Sequence, residues 1–119
     1  MSQNFKPGDF LVFQLESGFA LMRLLAVDEA GSGRVWHVAV YGDYFPDVET
    51  AEEIIASEAT MSINSAHLAL TNRAFESTQV AAIANVPLMD EDLVGLNSWR
   101  NDADREVSDR SVRLMLGIR

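Results

Sequence analysis

The hydrophobic pattern in the first third of the chain predicts a three-stranded antiparallel meander. Runs of apolar and β-branched side chains alternate with turn-forming stretches that contain serine and glycine. In the second run, Leu21 and Leu25 lie on one side of an extended chain, and Met22 and Leu24 lie on the other. A strand that is apolar on both sides is typical of a central strand covered on both faces. The three predicted strands span residues 10–15, 19–27 and 34–41.

The pattern changes from period two to helical spacing after Pro46. Apolar residues then recur at intervals of three and four, which predicts an amphipathic helix over residues 49–58 that covers one sheet face or barrel end. Thr50 with Glu53 fits a capping box at its start. The predicted apolar stripe consists of Val48, Ala51, Ile55 and Ala59.

The second half of the chain predicts three further strands and one more helix. The stretch around Leu68 and Leu70, residues 78–86 and the C-terminal tail all favour extended structure. The helix should begin at Asp90, where acidic residues suit a helix N-terminus, and end near residues 106–108. Its predicted stripe consists of Leu93, Leu96, Trp99, Ala103 and Val107. The predicted buried face of the tail strand consists of Val112, Leu114, Leu116 and Ile118.

Together these elements predict a single α+β domain over residues 1–119. We expect a small, strongly bent antiparallel sheet or an SH3-like barrel, with two amphipathic helices. The hydrophobic fraction of 48% is typical of a globular chain of 119 residues, which is long enough to bury a core without disulfide bonds.

The net charge of the chain limits the classes of partner that we expect it to bind. The formal net charge is −9, from 18 acidic and 9 basic residues, so the basic surface that a nucleic-acid-binding protein needs is not expected. The acid excess indicates either solubility alone or an electrostatic face for a basic protein. There is no cysteine, no apolar run of membrane-spanning length and no basic start followed by an apolar run. We therefore expect no membrane partner and a cytoplasmic location.

Motifs for catalysis or metal binding are not visible in the sequence. His37 and His67 are the only histidines, and neither has a closely spaced metal-ligand partner, so we interpret both as strand residues with ordinary hydrogen bonds. Convergence of both with two or more carboxylates in one pocket would instead favour an enzyme. Asp43 and Asp47 lie in a loop without the ligand density of a calcium site, and an aspartate there would help the next helix to start. We predict no catalytic residues, no metal and no cofactor.

Two features are candidates for partner binding. The stretch from Asp47 to Glu58 carries five acidic residues and no basic one, so the first helix presents either a solvated face or a docking surface for a basic protein. Trp36 is interpreted as a core residue, with a binding anchor as the alternative. The predicted partner-binding residues are Asp47, Glu49, Glu52 and Glu53.

The opening stretch "FKPGDFLVFQLESGFALMRLLAV" resembles the bacterial immunity protein 26 family, whose members are thought to neutralise toxins deployed between competing bacteria. The resemblance implies a non-catalytic module that binds and neutralises a toxin domain, and a basic toxin would suit the acidic charge. Some relatives are described as phosphotriesterases, so a metal-assisted phosphotriester hydrolase is an alternative, and a small-ligand-binding or regulatory barrel is another. The matching residues are Gly8, Asp9, Phe10, Leu15, Gly18, Phe19, Arg23 and Leu25.

Overall fold

Five antiparallel strands form one open sheet in the computed structural model, which describes residues 4–31 and 33–117. The strand order is β4-β3-β2-β1-β5, so β4 and β5 are the two edges, and the strongly bent sheet describes the fold while a closed barrel does not. The predicted α+β class is confirmed. The strands are β1 (Asp9–Leu15), β2 (Gly18–Ala30), β3 (Gly33–Tyr41), β4 (Ile63–Thr71) and β5 (Ala81–Asn85).

In the described part of the chain, five short helices cover the sheet. None of those formed by residues 4–31 and 33–117 has the length and apolar character that crossing a bilayer requires. The α-helices are α1 (Val48–Ala56), α2 (Asn72–Thr78), α3 (Val94–Arg100) and α4 (Val112–Gly117), and a 3₁₀ helix spans Asp90–Leu93.

The predicted meander is confirmed, and β2 is the central strand of the sheet. A two-residue turn joins β1 to β2, and its first residue, Glu16, has a φ of 58°. Gly18 follows the turn where the loop after β3 crosses, and a Cβ there would lie 2.9 Å from the Phe45 carbonyl oxygen. Phe19 and Phe45 exchange two backbone hydrogen bonds of 2.9 Å at this crossing. A side chain at position 18 would therefore displace the loop that leads into α1.

Each face of the sheet packs against its own helices. The back face contacts α2 and α4, while the front face contacts α1 at one end and α3 at the other. The buried back-face residues of the three central strands include Leu11, Phe13, Met22, Leu24, Trp36 and Val38. The front-face residues of the same strands include Phe10, Leu21, Arg23, Leu25, Ala39 and Tyr41.

Trp36 is a core residue, as predicted. Its indole ring stacks on Phe75 of α2 with the ring centroids 4.0 Å apart, and its Nε1 donates a hydrogen bond of 2.9 Å to Asn72 Oδ1. Phe5 packs edge-on against the other ring of this pair, Phe75. The stack joins α2 to the back face, so the tryptophan is not available as a surface anchor.

The first predicted helix is confirmed, but its cap is not the predicted one. Asp47 is the N-cap: its Oδ1 accepts hydrogen bonds of 2.7 Å from the Thr50 N–H and from the Thr50 hydroxyl. The prediction of a capping box at Thr50 and Glu53 was wrong because Asp47, held in extended conformation after Pro46, satisfies the free N–H groups first. The interpretation of an aspartate that helps this helix to start is confirmed.

The later elements were predicted less well. The strand within residues 78–86 is confirmed as β5, but α2 was missed, because its sequence was included in an extended stretch. Thr71 caps α2 by accepting from the Ala74 N–H, and Ala74 and Phe75 are buried on the back face. The second predicted helix begins at Asp90 but ends at Arg100. The helix ends earlier than predicted because the chain after Arg100 turns back towards Trp99.

The turn after α3 brings Glu106 to Trp99. The Trp99 Nε1 donates to the Glu106 carbonyl at 2.8 Å, so residues 101–106 form a loop where continued helix was predicted. This hydrogen bond uses the polar end of an aromatic side chain whose ring faces the sheet.

The tail strand was also predicted wrongly, because residues 112–117 form α4. Its start is held by the Val112 N–H, which donates to Thr78 Oγ1, and by Ser111 Oγ, which accepts from the Leu114 N–H. Val112, Met115 and Leu116 pack on the back-face core, a helical spacing that the apolar Leu114 made look like alternation. Ile118 lies outside the described residues.

In this helix, Val112 and Leu114, which were both predicted to be buried, differ in how much they contribute to stability. Val112 is fully buried, whereas Leu114 is 50% exposed. Val112→Ala removes two buried carbon atoms and should lower the free energy of unfolding by roughly 2 kcal/mol. Leu114→Ala should change it by less than about 0.5 kcal/mol. Urea unfolding of the two variants measures this difference, and a larger loss for Leu114→Ala would contradict the helical register of α4.

Candidate functional site

An open cleft of about 800 Å³ lies on the front face of the sheet, where the helices leave it uncovered. Its floor is formed by Phe10, Arg23 and Tyr41, which are neighbours on three adjacent strands. The C-terminal half of α1 forms one wall, and the segment that leads into the 3₁₀ helix forms the opposite wall. We call this depression the front cleft.

Arg23 holds one wall of the front cleft against the sheet. Its Nη2 donates to the carbonyl oxygens of Val86 at 2.7 Å and Pro87 at 3.1 Å, and its Nη1 lies 3.3 Å from Asp92 Oδ2. The guanidinium carbon is 4.8 Å from the centre of the Phe10 ring. A charge that is only 7% exposed needs such partners, and these partners place residues 86–92.

One donor of this buried guanidinium is left without a partner. Within the described part of the chain, Arg23 Nε is buried and makes no hydrogen bond. Tyr41 lies beside it, and burial raises the pKa of the Tyr41 phenol, while the nearby Arg23 charge opposes that rise. The floor therefore combines a neutral phenol with a cation that is already paired with Asp92.

The rim of the front cleft is acidic. Four carboxylates line it, from Glu52, Glu58, Glu91 and Asp92, and Arg23 is the one basic side chain among its described lining residues. Because Arg23 is buried and paired with Asp92, the outer part of the cleft carries uncompensated negative charge. This charge favours cationic over anionic binding partners.

The walls between these carboxylates are apolar. They include methionines at both sides of the opening, Met61 and Met89, and Met89 is 62% exposed. Methionine is flexible and is over-represented at surfaces that adapt to several partners. An apolar groove with a charged rim is a typical recognition surface for an amphipathic segment of opposite charge. The other apolar lining residues include Ile55, Ile83 and Val86.

One of the four predicted partner-binding residues lines this cleft, and the other three lie elsewhere on α1 or at its N-cap. Asp47, Glu49, Glu52 and Glu53 are all exposed on α1, whose opposite side buries its apolar stripe. Glu52 lines the cleft itself. Asp47 is already used as the N-cap, and the hydrogen bonds from Thr50 lower the pKa of its carboxyl group. All four side chains are therefore accessible to solvent, and their role in binding stays a prediction.

The front cleft itself was not foreseen from the sequence. Its floor residues, Arg23 and Tyr41, come from strands that were predicted correctly, but their meeting depends on strand register. The one available signal was Arg23, a charged residue inside a strand that is apolar on both sides.

A second polar cluster lies under α3, where the two histidines meet. His37 Nδ1 lies 2.9 Å from His67 Nε2, and His37 Nε2 lies 2.9 Å from Asp28 Oδ2. Arg100 Nη2 donates to the other oxygen of Asp28 at 2.7 Å. The sequence interpretation of ordinary hydrogen bonds missed this pairing, because only the register of β3 with β4 brings the two histidines together.

Proton positions in this cluster follow from the donors and acceptors. The Asp28 carboxylate accepts from Arg100 and can only accept, so His37 Nε2 must carry a hydrogen. His37 Nδ1 then accepts from the Nε2–H of His67 in the neutral state. Burial lowers the pKa of His37, although Asp28 opposes this, and burial followed by repulsion from His37 and Arg100 lowers the pKa of His67 to about 4. Both rings are neutral at neutral pH.

The cluster is packed beneath α3. The Trp99 ring covers both histidines, with its centroid 4.8 Å from that of His37 and 5.6 Å from that of His67. A Cβ at Gly95 would lie 2.9 Å from the His67 Cβ, so glycine allows α3 to lie directly on the histidine. Across residues 4–31 and 33–117, no group of three or more His, Cys, Asp or Glu side chains is arranged to hold a metal ion.

Comparison with known proteins adds no relative. No family model, no curated protein and no solved structure matches this chain. The resemblance of the opening hairpin to the immunity protein 26 family therefore stays a prediction.

The histidine cluster generates a prediction about pH. Unfolding raises the pKa of His67 from about 4 to its ordinary value of 6.5, so between these values the unfolded chain binds more protons. The stabilising contribution is therefore present above pH 6.5 and is lost as the pH falls towards 4. His67→Gln keeps a donor for His37 but does not titrate, and its free energy of unfolding should fall less over this range than that of the wild type. Urea unfolding at several pH values measures both curves, and parallel curves would contradict the assignment.

Proposed function

We propose that this protein is a non-catalytic interaction module that binds a basic protein partner at the front cleft and along α1. The observation that carries the proposal is the apolar cleft whose rim bears carboxylates and whose one described basic lining residue, Arg23, is buried and paired. We call the acidic residues around it the acidic surface. It consists of Asp47, Glu49, Glu52, Glu53, Glu58 and Glu91.

The charge on α1 is free to act on a partner because the helix does not need it for folding. Ala51 and Ile55 hold α1 to the sheet, and Glu49, Glu52 and Glu53 are exposed. Exposed charges contribute little to stability but attract an oppositely charged protein over roughly 10 Å at 0.1 M salt. Such steering raises the association rate and disfavours partners of like charge.

The class of partner that we propose is a toxin domain. Support comes from the resemblance of the opening hairpin to the immunity protein 26 family and from the net charge of −9, which complements a basic enzyme such as a nuclease. An inhibitor of this kind acts by covering the toxin's active site. The same charge disfavours direct binding to nucleic acid. The cytoplasm is the compartment that suits this role, since it is where such an enzyme would find its substrate.

A hydrolase is a weaker interpretation. It would need an accessible group of metal ligands, whereas the two histidines bond to each other beneath Trp99 and, among the described residues, only His37 contacts a carboxylate, that of Asp28. The one carboxylate falls short of the two or more that would favour an enzyme.

Binding of a small molecule is the second candidate, and a specific observation favours it. The front cleft has a volume within the range of roughly 300–1,000 Å³ that is typical of ligand pockets. The negative rim and the neutral Tyr41 phenol suit an apolar molecule with a neutral or cationic polar end.

The proposal is tested by removing charge from α1. The triple variant Glu49→Gln, Glu52→Gln and Glu53→Gln keeps the Asp47 cap and the buried stripe, so it should fold like the wild type. Its association with a basic toxin domain recovered by pull-down from the source organism should slow by roughly tenfold at low salt, because steering is lost. Its association rate should also depend less on salt. Stopped-flow or biosensor kinetics at low and high salt measure both effects.

A matched control separates local from total charge. The variant Asp102→Asn, Asp104→Asn and Glu106→Gln removes the same charge from the exposed loop after α3, and its association rate should fall much less. Equal slowing in both triple variants would show that only total charge matters and would remove α1 as the docking surface. If wild-type protein neither binds that toxin nor protects cells that express it, the immunity role is wrong.

A further inference from the structure

The two edges of the sheet differ in how they are protected. On β4, residue Ser108 forms a short parallel bridge beside Leu70. The Thr71 N–H donates to the Ser108 carbonyl at 2.9 Å, and the Ser108 N–H donates to the Ala69 carbonyl at 2.8 Å. The loop after α3 thus occupies the C-terminal half of this edge, where another chain could otherwise pair.

The β5 edge has no such protection in residues 4–31 and 33–117. Within these residues β5 pairs with β1 alone, and its other side bears no strand or bridge. The strand sequence "AAIAN" contains no lysine, no proline and no charge, which are the usual features that keep edge strands from pairing. Ala81, Ala82 and Asn85 are exposed, so small side chains leave the backbone accessible.

Space for side chains lies beside both ends of β5. The front cleft reaches the end of β5 at Ile83 and Ala84. A second depression of about 620 Å³ reaches the start of the strand at Val80 and Ala81. The edge is therefore bordered by a depression near each end, and a strand lying beside β5 would place side chains at both of them.

We propose that β5 binds an extended, basic segment of a partner protein as a sixth strand. This inference rests on the proposed function and names its mode of recognition: backbone hydrogen bonds to β5 supply affinity, and apolar side chains that enter the depressions supply specificity. Basic residues that flank the paired segment, beyond the ends of β5, meet Glu52, Glu58 and Glu91 on the rim. A second copy of this chain fits poorly, because its net charge of −9 would repel the same surface.

The probe for this mode is a short synthetic peptide in which lysine and valine alternate. A second peptide of the same composition has its valines at helical spacing, so the two differ in the secondary structure they favour and not in charge. The alternating peptide should bind more tightly. At a concentration tenfold above its Kd, the outward-facing amides of β5 should exchange with solvent about tenfold more slowly, because they exchange only from the free protein. Nuclear magnetic resonance of labelled protein measures this residue by residue.

Two N-methylated versions of the alternating peptide test the backbone pairing directly. In an extended peptide the valine N–H groups point to one edge and the lysine N–H groups point to the other. Methylation of the backbone nitrogens of all valines, or of all lysines, therefore blocks one edge of the peptide while its charge and side chains stay the same. One of the two methylated peptides should lose binding and the other should retain it.

The outcomes separate this inference from the function on which it rests. If both basic peptides bind at low salt with equal affinity, without protection of β5 amides and without an effect of N-methylation, strand addition is wrong and the acidic surface stands. If neither peptide binds, both strand addition and the charge-based surface are overturned. A third outcome is that the β5 amides become protected without peptide as the protein concentration rises, and that sedimentation shows a doubled mass. This outcome would assign the edge to a second copy of this chain and would overturn the proposal.

Discussion

The rest of the structure depends on the burial of β2 on both of its faces. A strand that is apolar on two sides must lie between two layers, so helices are needed on the back and on the front of the sheet. None of α1, α2, α3 and α4 exceeds nine residues, and helices of that length are marginal in water on their own. Each is therefore stabilised by the side chains it places on the sheet. The back face is covered by α2 and α4, whereas α1 and α3 leave the middle of the front face open.

Arg23 lies at that opening and fixes the position of one wall of the front cleft. An apolar side chain at this position could not do so, because it would make no polar bonds to the wall. Its guanidinium joins Asp92 and the carbonyl oxygens of Val86 and Pro87 to the central strand. A buried ion pair contributes little net stability compared with apolar packing, but its geometry selects one arrangement of the segment. Residues 86–92 are thus placed by polar bonds, and the apolar side chains of this wall, such as Met89, remain exposed to a partner.

Sequence patterns predicted the parts of this fold that depend on local periodicity. The meander, the central position of β2 and the first helix follow from alternation, from apolar residues on both sides and from helical spacing. The tail failed because Leu114 is apolar yet exposed, which made a helix resemble a strand. The acidic residues of α1 were identified because exposure follows from their position opposite the stripe. The front cleft and the contact of His37 with His67 were not accessible, because both require the register between strands that are distant in sequence.

The two polar clusters on the front face, one around Asp28 and one around Arg23, differ in how far their charges are paired within the fold, and this difference bears on function. Around Asp28, each side chain has a partner inside the fold, and Trp99 and Gly95 bring α3 down over the histidines. Around Arg23, the charge is paired with Asp92 on one wall, while carboxylates on the opposite wall have no cation beside them among the described lining residues of the cleft. The first group fixes α3 on the sheet, and the second leaves negative charge next to apolar surface and next to the β5 edge, which pairs with no strand on its outer side among the described residues. A basic chain that supplies both lysines and backbone N–H groups would satisfy charge, apolar walls and edge together, and this coincidence of three unmet requirements at one place is the strongest physical argument for a protein partner.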